Sequence, residues 1–205
     1  MKNSTLVGSR LEMSANNMSK ELKRCLWVKK EDALMTEYHD KEWGTPLRDD
    51  NKIFEFLVLE SFQAGLSWRT ILNKRRNFEK AFANFSPVKV AQFSNKDINR
   101  LLHDAGIVRN KAKIEATVNN AKRFLEVKKE FGTFSKYMRQ FVKNKPINNK
   151  VKKLSDYKPQ NKEAVFWSKD LKKRGFKFIG PTTVYAHMQA VGMVNDHMTG
   201  CFKSV

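Results

Sequence analysis

Apolar residues recur at helical spacing through most of this chain. The clearest run lies in residues 49–63, where the apolar positions are Ile53, Phe54, Leu57, Val58 and Phe62. This i, i+3, i+4 spacing is typical of one buried face of a helix. No stretch of the sequence shows the sustained apolar–polar alternation of a half-buried strand. The pattern therefore predicts an all-α protein.

Capping residues predict where several helices begin. Serine or asparagine accepts hydrogen bonds from the first turn, and proline suits the first helical position. The predicted N-caps are Ser67, Ser86, Ser94 and Asn110. Ser86 precedes Pro87, and Ser94 forms a capping box with Asp97 at the start of a helix that ends near Asp104. Asn110 begins a long basic helix that extends to about Lys129. Further helices are predicted near 134–142, 161–174 and 183–191. Residues 143–162 hold seven lysines and two prolines, which favours a solvated loop.

Composition narrows the class of protein and its partners. The chain has 205 residues, of which 40% are hydrophobic, including 15 Phe and 4 Trp, enough for the core of one domain. We expect residues 1–23, rich in Ser, Asn and Met, to be a disordered tail, and residues 24–205 to form one domain with two helical lobes. The formal net charge of +19 favours a polyanionic partner, of which nucleic acid is the usual one.

A membrane surface is the competing partner for this positive charge, but no strongly amphipathic basic terminal helix stands out. No apolar run reaches the ~20 residues of a membrane span, and residues 1–24 lack the apolar core of a signal peptide. We therefore expect a cytoplasmic monomer without a membrane association, and one close to the nucleoid if the source is bacterial.

Two pairs of potential metal ligands lie near opposite ends of the chain. They are Cys25 with His39, and His197 with Cys201. A His and a Cys at i and i+4 would share one face of a helical turn. Two thiolates and two imidazoles form a closed tetrahedral zinc site, which would join the two ends structurally. Two unrelated thiols are the alternative, and a disulfide is disfavoured in a reducing compartment.

A glycine turn joins two predicted helices at residues 101–111. Backbone N–H groups and the next helix start can bind a phosphate there without reading base sequence. Arg109, Lys111 and Lys113 add positive charge around Gly106. An ordinary helical hairpin with a glycine C-cap fits the same residues. The overall charge favours the DNA-binding interpretation.

Glu60 combines with aromatic residues in a third group. It follows Phe56 by four positions and Leu57 by three, so its carboxyl shares a largely apolar helix face. A carboxyl there requires a partner, a raised pKa or a cavity. With Trp68 nearby, it could hold a flipped base by stacking and hydrogen bonding. A core tryptophan beside an ion-paired glutamate is the alternative.

Several ordered motifs resemble the 3-methyladenine DNA glycosylase I family, over residues 24–202. They are R-C-x-W-V at 24–28, Y-H-D-x-E-W-G at 38–44, E-x-x-Q-A-G-L-S-W at 60–68, D-A-G-I-V-R at 104–109, K-K-R-G-F-K-F-I-G at 172–180 and V-N-D-H-x-x-x-C at 194–201. The resemblance implies an all-helical helix-hairpin-helix glycosylase fold. It also implies a structural zinc, one per chain, bound by Cys25, His39, His197 and Cys201.

The resemblance also implies a base pocket and a reaction. Its glutamate falls on Glu60, its stacking tryptophan on Trp68 and a pocket tyrosine on Tyr38, while Trp27 and Trp43 match tryptophans of the pocket wall or core. Gly106, Arg109 and Lys111 would contact double-stranded alkylated DNA. The implied enzyme is a monofunctional hydrolase of base-excision repair that cleaves the N-glycosidic bond and releases free 3-methyladenine.

Two departures from the family pattern concern the pocket, and one difference from the wider superfamily concerns the hairpin, where the substitution resembles this family itself. Met35 stands where the family often has a second tyrosine, and the loop from Lys29 to Glu37 is one residue longer. In the hairpin, Val108 replaces the second glycine of the wider superfamily.

Two other functions fit parts of the sequence. A zinc-stabilised DNA-binding module without catalysis would share the charge and the hairpin. A zinc hydrolase or nucleobase deaminase would need an open coordination position and usually H-x-E with C-x-x-C, which are absent.

Overall fold

The computed structural model describes residues 22–204, so the tail predicted at 1–23 lies almost wholly outside the described residues. The described chain is mostly helical, with two very short strands. Its elements are α1 (Ala33–Lys41), α2 (Asp50–Gln63), α3 (Trp68–Ala81), α4 (Pro87–Val90), α5 (Asn95–His103), α6 (Lys111–Phe131), α7 (Phe134–Arg139), β1 (Ile147–Asn148), α8 (Lys162–Lys173), α9 (Pro181–Ala190) and β2 (Val194–Asn195). No helix within these residues is long and apolar enough to cross a membrane.

The capping residues confirm the predicted helix starts. Ser67 Oγ accepts from the Thr70 N–H at 3.1 Å, where α3 begins. Asn110 Oδ1 accepts from the Lys113 N–H at 3.1 Å, at the start of α6. Each of these bonds satisfies an N–H that the first helical turn leaves without a backbone partner.

The sequence pattern did not predict helix α1, because residues 29–37 were assigned to a loop. Asp32 begins this helix, and its carboxylate accepts from the Met35 N–H at 3.2 Å. The helix has a weak apolar stripe, so periodicity did not reveal it. Met35 and Tyr38 consequently lie on a rigid element rather than in a flexible loop.

Helix α2 is the central element of the core. Every residue from Ile53 to Phe62 is buried, as expected for a helix surrounded by others. It packs on α3, α6, α7 and α9. Phe54 meets Phe124 of α6 edge to face at 5.2 Å, and Phe124 stacks on Phe134 at 4.0 Å. Each buried phenylalanine contributes about 1.5–3 kcal/mol through apolar burial.

Arg75 of α3 fixes the end of α1 against α2. Its guanidinium donates to both carboxylate oxygens of Glu42 at 2.7 Å, and its Nε donates to Glu55 Oε1 at 2.6 Å. Glu55 is buried, so this pairing offsets the desolvation of its carboxylate. The network holds α1, and with it Tyr38, next to the central helix.

Residues 143–158, here called the lysine strap, were predicted as part of a solvated loop, and that prediction is only half right. The strap's lysines are exposed, but its backbone is anchored. Strand β1 pairs in parallel with β2, with Ile147 opposite Val194. The Thr199 N–H also donates to the Val151 carbonyl at 2.6 Å. Two-residue strands carry no alternation that a sequence pattern could show, so the expectation of an all-α chain misses them.

Candidate functional site

A cavity of about 320 Å³ opens where α1, α2, α3, α9 and the lysine strap meet. All five residues that the sequence assigned to a base pocket line it: Trp27, Tyr38, Trp43, Glu60 and Trp68. Met35, which was expected at one wall, lines it as well. The remaining lining residues are Gln63, Leu154, Tyr157, Lys158, Ala186 and Gln189.

Glu60 places a carboxyl in the cavity wall without a protein partner. The residue is 4% exposed, and Oε2 makes no hydrogen bond within residues 22–204. Desolvation raises the pKa of this carboxyl to about 8. Of the three outcomes considered for a carboxyl on this face, a raised pKa and an adjacent cavity are both present, and an ion pair is not.

Aromatic rings form the sides of the cavity around Glu60. The Tyr38 and Trp68 rings lie 5.3 Å apart, and Trp27 meets Trp43 edge to face at 5.1 Å. The indole N–H of Trp68 is buried and makes no hydrogen bond in the described chain. Burial, followed by the nearby Glu60 charge, raises the pKa of Tyr38 well above its usual value, which keeps its hydroxyl neutral. The cavity that these four rings line suits a flat ligand with polar edges.

Tyr157 and Gln189 are cavity residues that sequence reasoning missed. Tyr157 follows a 3₁₀ turn of the lysine strap, and its buried hydroxyl has no hydrogen-bond partner among the described residues. Gln189 of α9 donates its amide to Asp196 Oδ2 at 2.7 Å, which fixes the side chain at the wall. Neither residue lies in a recognisable motif, so the sequence offered no signal for them beyond the aromatic residue in a basic loop.

The four predicted metal ligands converge in a buried cluster. The nearest nitrogen or sulfur atoms of Cys25, His39, His197 and Cys201 all lie within 4.8 Å of one another. Cys25 Sγ is 3.6 Å from His197 Nδ1, and Cys201 Sγ is 3.5 Å from His39 Nε2. The cysteines are not joined by a disulfide. The expected helical turn at 197–201 is wrong: the Cys201 N–H bonds the Met198 carbonyl at 2.8 Å in a non-helical turn.

Hydrogen bonds on the outer sides of both imidazoles orient the cluster. His39 Nδ1 lies 2.7 Å from Asp40 Oδ1, and His197 Nε2 lies 3.0 Å from the Trp43 carbonyl oxygen. Both partners are acceptors, so these nitrogens carry the protons and the opposite nitrogens present lone pairs to the sulfurs. Burial lowers the pKa of His197 to about 4, so its ring is neutral at neutral pH.

A short turn joins α5 to α6 where the hairpin was predicted, but its details differ from those expected of a phosphate-binding hairpin. The Gly106 N–H donates to Asp104 Oδ1 at 2.8 Å and is therefore not free for a phosphate. The Gly106 carbonyl accepts from Lys74 Nζ at 3.2 Å, which packs the turn against α3. Gly106 does not adopt a left-handed C-cap conformation, since its φ is not positive.

The three basic residues of the hairpin separate into two groups. Arg109 and Lys111 are exposed beside the turn, as a phosphate contact requires. Lys113 is 6% exposed, and its ammonium donates to the Phe62 and Ala64 carbonyls at 2.9 and 2.6 Å. The expectation that Lys113 adds to the surface charge is therefore wrong, because its charge stabilises the carboxyl end of α2.

The described domain is helical and combines an aromatic cavity, an unpaired carboxyl and an exposed basic turn. This arrangement is typical of proteins that recognise a planar, polar-edged ligand in a polyanion. Comparison with known proteins agrees. The sequence profile of methyladenine glycosylase matches residues 27–204. The chain therefore belongs to the methyladenine glycosylase family.

Similar proteins cover nearly the whole described chain. DNA-3-methyladenine glycosylase 1 of Escherichia coli strain K12 is 44% identical over 180 residues, which span 88% of this chain and 96% of the relative. DNA-3-methyladenine glycosylase of Haemophilus influenzae strain ATCC 51907 is 46% identical over 178 residues, 87% of this chain and 96% of the relative. The structure of 3-methyladenine DNA glycosylase I from Staphylococcus aureus, solved to explain 3-methyladenine recognition, has a TM-score of 0.85 at 40% identity, with 90% and 97% of the two chains covered.

Proposed function

We propose that this chain is a monofunctional DNA glycosylase of base-excision repair that hydrolyses the N-glycosidic bond of 3-methyladenine in alkylated DNA. The observation that carries the proposal is the Glu60 carboxyl, buried without a partner in the wall of an aromatic cavity. Leaving such a group unpaired costs about 1–3 kcal/mol, and its place in the wall of an aromatic cavity supports a role in binding a ligand. The named activities of the relatives support the same substrate.

The chemistry of the substrate explains why a cavity with one carboxyl suffices. Methylation at N3 gives adenine a positive charge, so the base leaves readily and needs little protonation. Without a bound base, the Glu60 carboxyl is protonated below about pH 8, and the positive charge of the flipped base lowers this pKa so that the carboxyl ionises in the complex. The ionised Glu60 then accepts a hydrogen bond from the exocyclic amine of the base and places negative charge beside it. Trp68 stacks on the base, Tyr38 flanks it, and Trp27 and Trp43 close the wall.

The reaction itself is a displacement by water. The base departs with the electron pair of the glycosidic bond and becomes neutral 3-methyladenine. The water oxygen bonds to the sugar carbon and releases its proton to solvent. The mechanism needs no lysine Schiff base and cuts no strand.

DNA would be bound by the helix-hairpin-helix formed by α5, the turn at 104–110 and α6. Arg109 and Lys111 supply exposed charge there, and Gly106 allows the turn to approach α3 closely. A Cβ on Gly106 would lie 3.1 Å from the Asn77 side chain, so a larger residue would push the turn outward. Contacts of this kind hold the phosphate backbone and read no sequence.

The Cys/His cluster would hold one structural zinc. Bonds of about 2.3 Å to sulfur and 2.0–2.1 Å to nitrogen, at a tetrahedral angle, separate the two atoms by roughly 3.6 Å. The observed sulfur–nitrogen distances of 3.5, 3.6 and 3.7 Å fit this value. The ligand set is closed, so the ion would supply stability and take no part in base removal.

We further propose that residues 24–205 act as one cytoplasmic, monomeric domain with two lobes. The main alternative, a zinc-stabilised DNA-binding module without catalysis, has no use for an unpaired Glu60 carboxyl. A deaminase is disfavoured because the four ligands leave no coordination position for water.

Incubation with methylated duplex DNA, followed by identification of released bases, tests the proposal. The wild-type chain should release 3-methyladenine and leave the strands uncut. Glu60→Gln should reduce release by about 1.5–3 kcal/mol, roughly 10- to 150-fold, with duplex binding retained. Duplex binding by the wild-type chain with no base release would favour the binding-module alternative.

A further inference from the structure

The lysine strap forms part of the cavity wall through Leu154, Tyr157 and Lys158. Leu154 and Lys158 lie at the cavity wall with Trp68, which belongs to α3. Leu154 is 53% exposed, although it is a large apolar residue. A base held in this cavity stays bonded to its sugar and phosphates, so the DNA backbone must pass the rim where these residues lie.

The strap carries a dense, unneutralised positive charge. Its six lysines are all exposed, and none forms an ion pair with a carboxylate within residues 22–204. They are Lys143, Lys145, Lys150, Lys152, Lys153 and Lys158. Asp156 is the one acidic residue of the strap, and its carboxylate accepts the backbone N–H groups of Lys152 and Lys153 at 3.0 and 3.1 Å. The lysine ammonium groups are therefore left to an external anion.

The strap is rigid where it meets the cavity. Asp156 closes the 3₁₀ turn that begins at Leu154, so the side chain of Leu154 is held in a defined place. The pairing of β1 with β2 and the bond from Thr199 to Val151 fasten the strap on both sides of Lys150. A surface fixed in this way loses little conformational entropy when it binds a partner.

We propose that the lysine strap is a second DNA-binding surface, separate from the hairpin and next to the cavity. Its lysines contact phosphates of the strand that carries the flipped nucleotide, and Leu154 packs against that strand beside the cavity. The hairpin is held to α3 through Lys74, whereas the strap lines the cavity, so the two surfaces are formed by different segments of the chain. This inference rests on the proposed function, because it takes the cavity ligand to be a nucleotide of duplex DNA.

DNA is favoured over other anionic partners by the position of Leu154 and Lys158. These two residues border the same cavity as Glu60 and Trp68, so a nucleotide held there would bring its sugar and phosphates close to them. An acidic protein or an anionic membrane could bind the lysines but has no planar group for the cavity.

The test compares strap variants with matched controls elsewhere on the surface. The variants are Leu154→Ala and the pair Lys152→Ala with Lys153→Ala, whose backbone bonds to Asp156 are kept. The controls are Phe166→Ala, which truncates a side chain 68% exposed on α8, and the pair Lys172→Ala with Lys173→Ala, exposed at the end of α8. None of the control residues lines the cavity.

Affinity for undamaged duplex DNA is measured as a function of salt, together with base release and affinity for free 3-methyladenine. The salt slope is the change in the logarithm of the binding constant with the logarithm of the salt concentration. The paired lysine variant should reduce its magnitude by up to about two, because each phosphate that is no longer neutralised contributes near 0.9. Leu154→Ala should weaken base release from duplex roughly fivefold. Affinity for the free base, which needs no backbone contact, should be unchanged in the paired lysine variant, because neither Lys152 nor Lys153 lines the cavity. The controls should match the wild type.

Equal salt slopes and equal release in strap variants and controls, with thermal stability intact, would overturn the inference. Salt slopes are read on undamaged duplex, so the strap is tested even if the wild-type chain releases no base. If the wild-type chain releases no base but the strap variant has a reduced salt dependence of duplex binding, the proposed catalytic function is wrong and the proposed DNA-binding surface is supported. Competition by anionic vesicles or an acidic peptide, with no effect of the variants on duplex binding, would assign the strap to those partners.

Discussion

The carbonyl oxygen of Trp43 accepts a hydrogen bond from Nε2 of His197 at 3.0 Å, and the indole of Trp43 lines the cavity. The two rings also meet edge to face, with centroids 4.6 Å apart. One residue thus belongs both to the surroundings of the Cys/His cluster and to the wall that would hold a base. Disorder in the cluster would move that wall.

Gly44→Ala should lower the stability of the protein more than Gly65→Ala does, because Gly44 lies against the Cys/His cluster. Both glycines have positive φ, +73° and +82°, so both substitutions introduce the same type of backbone strain, about 1–2 kcal/mol. A Cβ on Gly44 would lie 2.8 Å from His197 Nε2, whereas one on Gly65 meets nothing within 4 Å. We expect Gly44→Ala to unfold at a lower temperature and to bind less zinc. Equal melting temperatures and equal zinc contents would contradict this.

Purified wild-type protein should contain about one zinc per chain, and Cys201→Ser should lose it. Serine is a poor zinc ligand, and the metal's binding free energy contributes to folding, so we expect a loss of roughly 3 kcal/mol or more in stability. Turnover by the fraction that remains folded should fall less, because the ligand set is closed. Thermal melts with and without a chelator provide the measurement, and a wild-type melt insensitive to metal removal would refute the site.

Glu60→Gln should change how stability depends on pH. The native carboxyl keeps its proton up to about pH 8, whereas an unfolded glutamate loses it near pH 4.5. Between these values the unfolded state binds fewer protons, so wild-type stability falls as pH rises. The free energy of unfolding of the variant does not fall in this way. Relative to the wild type, it should therefore rise by up to about 1.4 kcal/mol per pH unit.

Urea unfolding of both proteins at pH 5.5 and pH 8 measures the effect. Glu79→Gln, on the exposed face of α3, is the matched control and should follow the wild type. Parallel stability curves for Glu60→Gln and wild type would show that the native carboxyl is already ionised.

Trp68→Ala and Tyr157→Phe should separate stacking from hydrogen bonding in the cavity. Loss of the Trp68 indole should cost ~1–3 kcal/mol of base binding. Tyr157→Phe removes a hydroxyl that has no protein partner, so release should fall by about 1 kcal/mol at most with stability unchanged. In the control Tyr137→Phe, the deleted hydroxyl bonds Asp170 at 2.6 Å, so stability should fall and release per folded molecule should not. The reverse pattern would place Tyr157 outside the site.

In the hairpin, salt titrations should distinguish surface charge from buried charge. Arg109→Ala and Lys111→Ala should each flatten the salt dependence of duplex binding by about one unit. Lys113→Met should leave that slope unchanged and lower stability, because its ammonium is buried on two carbonyls of the α2 end. A changed slope in Lys113→Met would show that this ammonium reaches DNA.

The sequence predicted the parts of this structure that rest on local physics. Caps such as Ser67 and Asn110, and the periodicity of α2, depend on near neighbours, and their helices are confirmed. The grouping of Cys25 and His39 with His197 and Cys201 could be expected from ligand chemistry and family resemblance. Tyr157, Gln189 and the anchoring of the lysine strap depend on contacts between distant segments, which no local pattern records. Helix α1 was missed because its apolar face is weak, although Asp32 offered a cap.

The Cys/His cluster also constrains when this chain can finish folding. Cys25 and His197, in contact at 3.6 Å, are 172 positions apart, and Cys201 comes later still. Synthesis proceeds from the N-terminus, so α1 to α9 emerge before the second pair of ligands exists. The strap cannot be anchored before its partner strand β2 has been made, and Trp43 cannot be fixed before His197 has been made. A nascent chain stopped before residue 197 would hold nearly every helix and still lack a finished cavity, so capture of the proposed zinc would be a late step in the maturation of the enzyme.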